Sequence, residues 1–314
     1  MNIVNGVLGL FLGCLVTYIF MRYREKNLKR QFKLANNIFQ LVEQSKDVIY
    51  YYQVKPVHKH LYTSPSVEHF LGKGSLALLY DDANTPYEMI HPDEVHIMEH
   101  KITNKLDYSK PIIQRLRAMD GTYHWFEEHA TPIYENGELI AIQGVMRNID
   151  EKVKLEEDLT YRINHDSLTN IYNRYYFEQQ MDFYNEENHT LTMILCDLDN
   201  LKIINDEQGH LQGDRNIQRA ANMLNECFSP YGFVARVGGD EFAIILPNTS
   251  ETSVKGLLDK LKAILEKDDS VSSVPVKMSI GYASTEHSKH SMEELYMKAD
   301  IKMYFEKKSK IASN

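Results

Sequence analysis

The chain has 314 residues, a formal charge of −9, an apolar share of 43% and three cysteines. That length suits two domains with connectors. The acidic balance, with no long basic stripe, argues against nucleic acid as a partner, and Cys14, Cys196 and Cys227 show no paired spacing for a disulfide framework or a zinc site.

Residues Ile3 to Met21 carry no charge, and a helix of that length just spans a bilayer. Arg22, Arg24, Lys26, Lys29, Arg30 and Lys33 follow, opposed only by Glu25. A basic flank of this kind stays on the cytoplasmic side. The expectation is a single-pass anchor over 1–21 in the inner, cytoplasmic membrane, a juxtamembrane basic helix over 22–36, and all later domains in the cytoplasm. A cleaved signal peptide fits less well: there is no basic leading region, and the first alanine is Ala35. Met21, Leu28, Phe32, Ala35, Phe39 and Val42 fall on 3-4 spacing interrupted by Glu25. Such a stripe either aligns two parallel chains or packs the helix on the next domain.

Residues 37–150 change character. Lys46–Tyr52 and Lys59–Thr63 read as strands, and Ser64-Pro65-Ser66-Val67-Glu68 opens a short helix. His91-Pro92-Asp93-Glu94 marks another helix start, with proline at a favourable first position. Three strands follow, Ile112–Met119, Thr122–Thr131 and Glu138–Asn148, separated by Asp120-Gly121 and Asn136-Gly137. Those dipeptides are strong hairpin signals, so the segment is an antiparallel meander. Two strands, small helices and a meander, with Arg117–Trp125 and Ser64–Glu68, resemble a PAS sensor domain. The resemblance leaves its ligand unknown. Eight histidines between His58 and His129 put haem among the candidates, although most such histidines are surface or satisfied polar groups. No cysteine lies between 15 and 195, which excludes flavin chemistry through a cysteinyl adduct.

Residues 151–165 read as a charged linker helix with Val153, Leu155, Leu159 and Ile163 apolar. It is either the linker of a dimer or a solvated connector.

From 166 to 314 the pattern is α+β. Thr190–Cys196 is a β-rich apolar run ending in Asp197-Leu198-Asp199, and period two sends both carboxylates to one side. Leu201–Glu207 and Arg215–Cys227 read as helices around a Gly209–Gly213 loop. Phe233–Ala235 and Phe242–Leu246 are strands joined through Gly238-Gly239-Asp240-Glu241, where paired glycines suggest a primed turn with positive φ. Glycine also lets a bulky substrate lie on the backbone. Thr252–Glu266 reads as a helix and Val276–Ile280 as a strand. Ser291-Met-Glu-Glu294 is a capping box opening a last helix through Lys308. The order βααββαβ implies a ferredoxin-like palm. Acidic side chains on a strand end and a hairpin turn suit Mg²⁺ against nucleotide phosphates. The plainer alternative is a solvated hairpin with acidic tips.

The ordered set Asp166–Arg174, Asp197–Asp206, Gly209-His210, Gly213-Asp214, Gly238–Phe242, Ser279-Ile280-Gly281 and Ala299-Asp300 resembles a GGDEF domain, the catalytic module of diguanylate cyclases. The resemblance implies Mg²⁺-dependent condensation of two GTP into cyclic di-GMP with release of two pyrophosphates, in a homodimer governed by the PAS-like domain. It implies that Asp197, the Leu198 carbonyl, Asp240 and Glu241 hold the metal. Asp240 would also be the proton acceptor, and Lys202 would stabilise phosphate charge. Asn205 and Asp214 would hold guanine beside His210, Gly238 and Gly239 would allow close approach, and Lys307 would contact phosphate. The alternative within the same family is a catalytically silent GTP-binding module; outside it stands a nucleotidyl cyclase with another product.

Some positions depart from the family pattern. Leu201 replaces a usual Phe, Asn170 a usual Gly, and Ile311 a usual Arg, for which Lys310 is a candidate substitute. An Arg-x-x-Asp product-inhibition motif is expected just before Gly238, but Ser229-Pro-Tyr-Gly232 stands there, so feedback through that site is not expected.

Overall fold

The computed structural model describes the backbone of residues 2–82 and 84–313, and side chains from Thr17 onward apart from those at 83, 251 and 313. The chain divides into two compact units, Met1–Leu155 and Glu156–Asn314.

The first unit runs α1 (Asn2–Glu43), β1 (Val48–Gln53), β2 (Lys59–Thr63), α2 (Val67–Leu71), α3 (Ser75–Asp81), α4 (Thr85–Met89), a 3₁₀ turn at Pro92–Glu94, α5 (Val95–Ile102), β3 (Ile112–Arg117), β4 (Tyr123–Glu135) and β5 (Glu138–Asn148). The five strands form one antiparallel sheet in the order β2-β1-β5-β4-β3. The expected meander is present. Asn136 and Gly137 take φ 50° and 83°, the two left-handed positions that a primed hairpin turn requires. Val48, Val67, Leu71 and Phe126 are almost wholly buried between the sheet and the small helices.

Helix α1 is continuous from Asn2 to Glu43 and runs past the boundary read at residue 36. The anchor expected over 1–21 falls mostly on residues 1–16, whose side chains lie outside the described residues. Among the described residues no helix is long and apolar enough to cross a membrane. The stripe on α1 stays largely uncovered, with Met21 at 70%, Leu28 at 58% and Phe32 at 77% exposure. Contact with the helix's own unit comes at its C-terminal end. There Phe39 meets Tyr62 with ring centroids 5.7 Å apart, and the Tyr62 hydroxyl donates to Glu43 at 3.1 Å.

The division between units falls inside α6 (Asp150–Asn164). No residue of α6 is buried, which fits both sequence readings of the linker. The second unit continues with β6 (Tyr172–Asn173), α7 (Arg174–Glu186), β7 (Leu191–Leu198), α8 (Leu201–Gln208), α9 (His210–Phe228), β8 (Phe233–Arg236), β9 (Glu241–Pro247), α10 (Glu251–Val271), β10 (Met278–Thr285) and α11 (Met292–Ser313). The sheet order is β10-β7-β9-β8-β6, the antiparallel-rich α+β palm expected. Helix α7 was not expected. It packs Phe177 and Tyr184 into the core, and Asn173 caps it by accepting the Tyr176 amide at 3.0 Å.

Every residue of β7 is buried, because helices cover both faces. Ile194, Cys196 and Leu198 pack with residues of α9 and α10, while Leu191, Met193 and Leu195 pack with residues of α7 and α11. That alternation is the period of two in operation. It assigns Asp197 to the face of α11.

Two local expectations are corrected. His210 begins α9, so Gly213 is helical and not part of a loop. Ser291 does not cap α11 with its hydroxyl, which instead donates to the carbonyls of His287 at 2.7 Å and Ser288 at 3.0 Å.

Candidate active site

The expected hairpin joining β8 to β9 forms, with Arg236 opposite Phe242 and Ala235 opposite Ala243. Neither Gly238 nor Gly239 has positive φ, so the primed turn is not what the glycines provide. Their value lies in space. A Cβ on Gly238 would stand 2.7 Å from a Glu241 carboxylate oxygen, whereas a Cβ on Gly239 would meet nothing within 4 Å. Gly239 therefore leaves an open approach to the backbone. The turn is held by Arg236, whose guanidinium donates to the Gly239 carbonyl at 2.7 Å and to Asp166 at 3.2 Å. Asp166 also accepts from the Thr169 hydroxyl at 2.6 Å and amide at 3.0 Å. These donors hold its carboxyl below the usual range despite opposing burial.

The two acidic segments converge. Asp197 lies opposite Glu241 in the β7–β9 ladder, and the Leu198 amide donates to the Asp240 carbonyl at 2.9 Å. Burial pushes the Asp197 carboxyl up, and the Asp240 and Asp199 charges push it further, against Lys307. Glu241 is raised for the same reasons, by burial first and then by Asp197, Asp240 and Asp300. Asp197 and Asp199 both meet α11, through Lys307 and Lys310, as the period of two expects. Asp199 accepts from the Ser279 hydroxyl at 2.7 Å, with the Lys310 ammonium at 3.4 Å, and its amide donates to the Lys277 carbonyl at 2.8 Å. It ties β7 to β10.

Lys307, expected on phosphate, sits on Asp197 at 2.6 Å. Helix α11 can bring it there because a Cβ on Gly281 would stand 2.1 Å from the Ala299 carbonyl oxygen. That absence of a side chain lets α11 lie directly on β10. Burial lowers the Lys307 ammonium, but its hydrogen bond to Asp197 and the surrounding carboxylates raise it overall.

Among the described residues no group of three or more His, Cys, Asp or Glu side chains closes around a metal position. The donor chemistry nonetheless fits a hard cation. The site gathers carboxylate oxygens that make one another harder to ionise, and an ammonium already stands at one of them. A small oxygen-seeking divalent ion matches that donor set.

The nucleotide-reading residues sit on α8 and α9. Asn205 packs on Gly213 of α9, where a Cβ would stand only 1.9 Å from Asn205 Oδ1. His210 and Asp214 are four residues apart on α9, hence on one face, and both are exposed. Lys202 is exposed in the first turn of α8, where unbonded amides favour anions. Lys310 also lines a cleft of about 350 Å³ with Asp199, Lys277, Lys307 and Ile311, so a cation does stand beside Ile311. Sequence reasoning missed the part played by Arg236. Its signal was a lone basic residue two positions before the glycine pair.

Residues 163–312 match the family described as "Diguanylate cyclase, GGDEF domain", and residues 60–146 match the PAS fold. A diguanylate cyclase of Vibrio cholerae is 26% identical over 261 residues, covering 80% of this chain and 80% of that protein. The cyclic di-GMP phosphodiesterase PdeB of Shewanella oneidensis is 31% identical over 167 residues, 52% of this chain. This chain spans only 20% of that protein's length. Among solved structures, the coiled coil and GGDEF domain of DgcB from Caulobacter crescentus in complex with c-di-GMP is 25% identical. It covers 51% of this chain and 89% of its own, with a TM-score of 0.46.

Proposed function

We propose, from the premise that this chain belongs to the proteins joining a PAS fold to a GGDEF domain, that it condenses two GTP into cyclic di-GMP. The observation that carries the reading is the Leu198–Asp240 backbone bond of 2.9 Å. It seats Asp197, Asp240 and Glu241 at one end of the sheet, while Gly213 leaves room for the Asn205 side chain against α9.

Each 3′-hydroxyl attacks the α-phosphorus of the other nucleotide. Two P–O bonds form, two break, and two pyrophosphates leave. Asp197, the Leu198 carbonyl, Asp240 and Glu241 would hold Mg²⁺, which when bound would supply Lewis-acid charge at the phosphates. Asp240 accepts the hydroxyl proton, and Lys202 offsets charge developing at phosphorus. Asn205 and Asp214 read the guanine edge beside His210, and the open face of Gly239 admits the nucleotide.

One domain holds one GTP, so the reaction needs a homodimer with two sites facing each other. Holding reactants in line is worth several kcal/mol, which makes dimer geometry a natural control point. The uncovered stripe on α1 suits a parallel partner helix. Residues 1–21 form the anchor in the cytoplasmic membrane, with the PAS and GGDEF domains in the cytoplasm. The PAS domain governs the dimer through α6. A ring series supports that coupling: Tyr161 stacks on His165 at 3.8 Å, His165 meets Tyr172 at 4.5 Å, Tyr172 stacks on Tyr176 at 3.8 Å, and Tyr176 meets Phe233 of β8 at 5.3 Å.

A catalytically silent GTP-binding module is the second reading, and the Lys307 ammonium on Asp197 favours it. Incubating the full chain with GTP and Mg²⁺ and weighing the products separates the two. The cyclase reading expects cyclic di-GMP from the natural chain and at least ~100-fold less from Asp240→Ala. Equal yields, or none from either, would remove it.

A further inference from the structure

The first unit encloses a cavity of about 70 Å³ between its sheet and its small helices. One wall is apolar, made by Val67, Leu71, Leu79, Met89, Leu116 and Ile142. The other presents Tyr50, His60, Lys101 and Gln114. Behind that wall lies Glu128, which is fully buried. Its carboxylate accepts from the Tyr50 hydroxyl, the Lys101 ammonium and, at 2.7 Å, the Gln114 amide. Lys101 is itself only 6% exposed.

Charge bookkeeping sets the ligand class. Glu128 matches Lys101, so the wall is neutral overall. An ionic ligand would bring an unpaired charge into an apolar space, which is strongly unfavourable. Hydrogen bonding sets the rest. His60 Nδ1 is engaged with the Thr63 hydroxyl at 3.0 Å, but its Nε2 is buried with no partner. Burial, with Lys101 nearby, lowers the His60 pKa to about 4, so the ring meets the cavity uncharged. An ammonium has three donors, and Glu128 accounts for one of those on Lys101. A hydroxyl can accept from Lys101 and either donate to or accept from Nε2. Size completes the description. The volume is roughly half that of a ~150 Å³ apolar cavity that admits benzene, so it does not hold a haem macrocycle.

We infer that this cavity is a binding site for a small neutral molecule with one hydroxyl and a short apolar tail, the hydroxyl seated between Lys101 and His60. The inference is independent of the catalytic reading, because its test involves no nucleotide.

The test uses the full chain in lipid nanodiscs with ¹³C-methyl-labelled methionine, since Met89, Met98 and Met146 line the cavity. The probes are 1-propanol, propionate and propylammonium, all at neutral pH. 1-Propanol is expected to shift those methyl resonances saturably, with the two charged probes at least tenfold weaker. His60→Phe should weaken 1-propanol about fivefold while leaving the methyl spectrum of the second unit unchanged. Leu79→Phe, which adds bulk to the apolar wall, should weaken it without touching the polar one. A response to propionate or propylammonium equal to that of 1-propanol would overturn the assignment of a neutral ligand. No saturable response to 1-propanol, as for a cavity holding water only, would overturn the site.

Discussion

The ammonium of Lys307 lies 2.6 Å from a carboxylate oxygen of Asp197, the carboxylate that β7 delivers to the acidic end of the sheet. Lys307 thus partly neutralises a cluster whose members repel one another. Removing it should strengthen the response to a divalent cation. Lys307→Ala is expected to lose roughly 1 kcal/mol or less of stability without metal, because the lysine is more than a third exposed. Its melting temperature should then rise more on adding Mg²⁺ than that of the natural chain. Scanning fluorimetry over a Mg²⁺ series checks this. Equal shifts in both chains would mean that Lys307 and the cation do not compete.

The acidic cluster also sets a pH dependence. Asp197 and Glu241 have folded-state pKa values above the ordinary 3.8 and 4.5. The folded chain therefore holds these protons more tightly than the unfolded chain, and stability falls as pH rises through that window. Above the raised values the full penalty applies. Asp197→Asn removes much of it, so its stability relative to the natural chain should increase as pH rises above the ordinary carboxylate range and level off once the raised values are passed. Urea unfolding at several pH values, without divalent cations, provides the measurement. The same variant should lose at least ~100-fold in product formation, so stability and activity move in opposite directions.

Much of this site was legible because its signals are local. A run from Thr190 to Cys196 followed by acid reads as a strand delivering Asp197, and alternation along β7 places that side chain with Leu195 and Met193. Asn136-Gly137 carries its turn geometry in its composition. The misses are tertiary. Gly238-Gly239 reads as a primed turn, but the four-residue connection leaves both φ values outside the left-handed region and Arg236 holds it from the side. Asp199 follows the same period as Asp197 and also meets α11, through Lys310; what the period does not show is the Ser279 hydroxyl that donates to it. Gly213 reads as a loop breaker, and only contact with Asn205 shows why a helix tolerates it.

That contact separates two glycines by mechanism. Gly213→Ala suits a helix, but its Cβ would displace the Asn205 side chain. The expected result is a folded chain whose KM for GTP rises about tenfold or more. Gly239→Ala meets no protein atom within 4 Å, so the melting temperature should stay within about 1 °C while nucleotide binding falls. Calorimetric binding of a non-hydrolysable GTP analogue, beside thermal melts, checks both. Unchanged binding by Gly239→Ala would mean that the nucleotide does not cross that face of the turn.

In the first unit the decisive residue is Glu128, which carries three donors at no exposure. Glu128→Ala leaves the Lys101 ammonium buried and unmatched, a situation that costs about 3–5 kcal/mol. Glu128→Gln with Lys101→Met removes both charges and should recover most of that loss, because a buried ion pair contributes little net stability once its desolvation is counted. The double variant should therefore melt well above Glu128→Ala and close to the natural chain, when the first unit is followed through Trp125 fluorescence. A double variant as unstable as the single one would show that the carboxylate matters for the hydrogen bonds it accepts from Tyr50 and Gln114, and not for pairing Lys101.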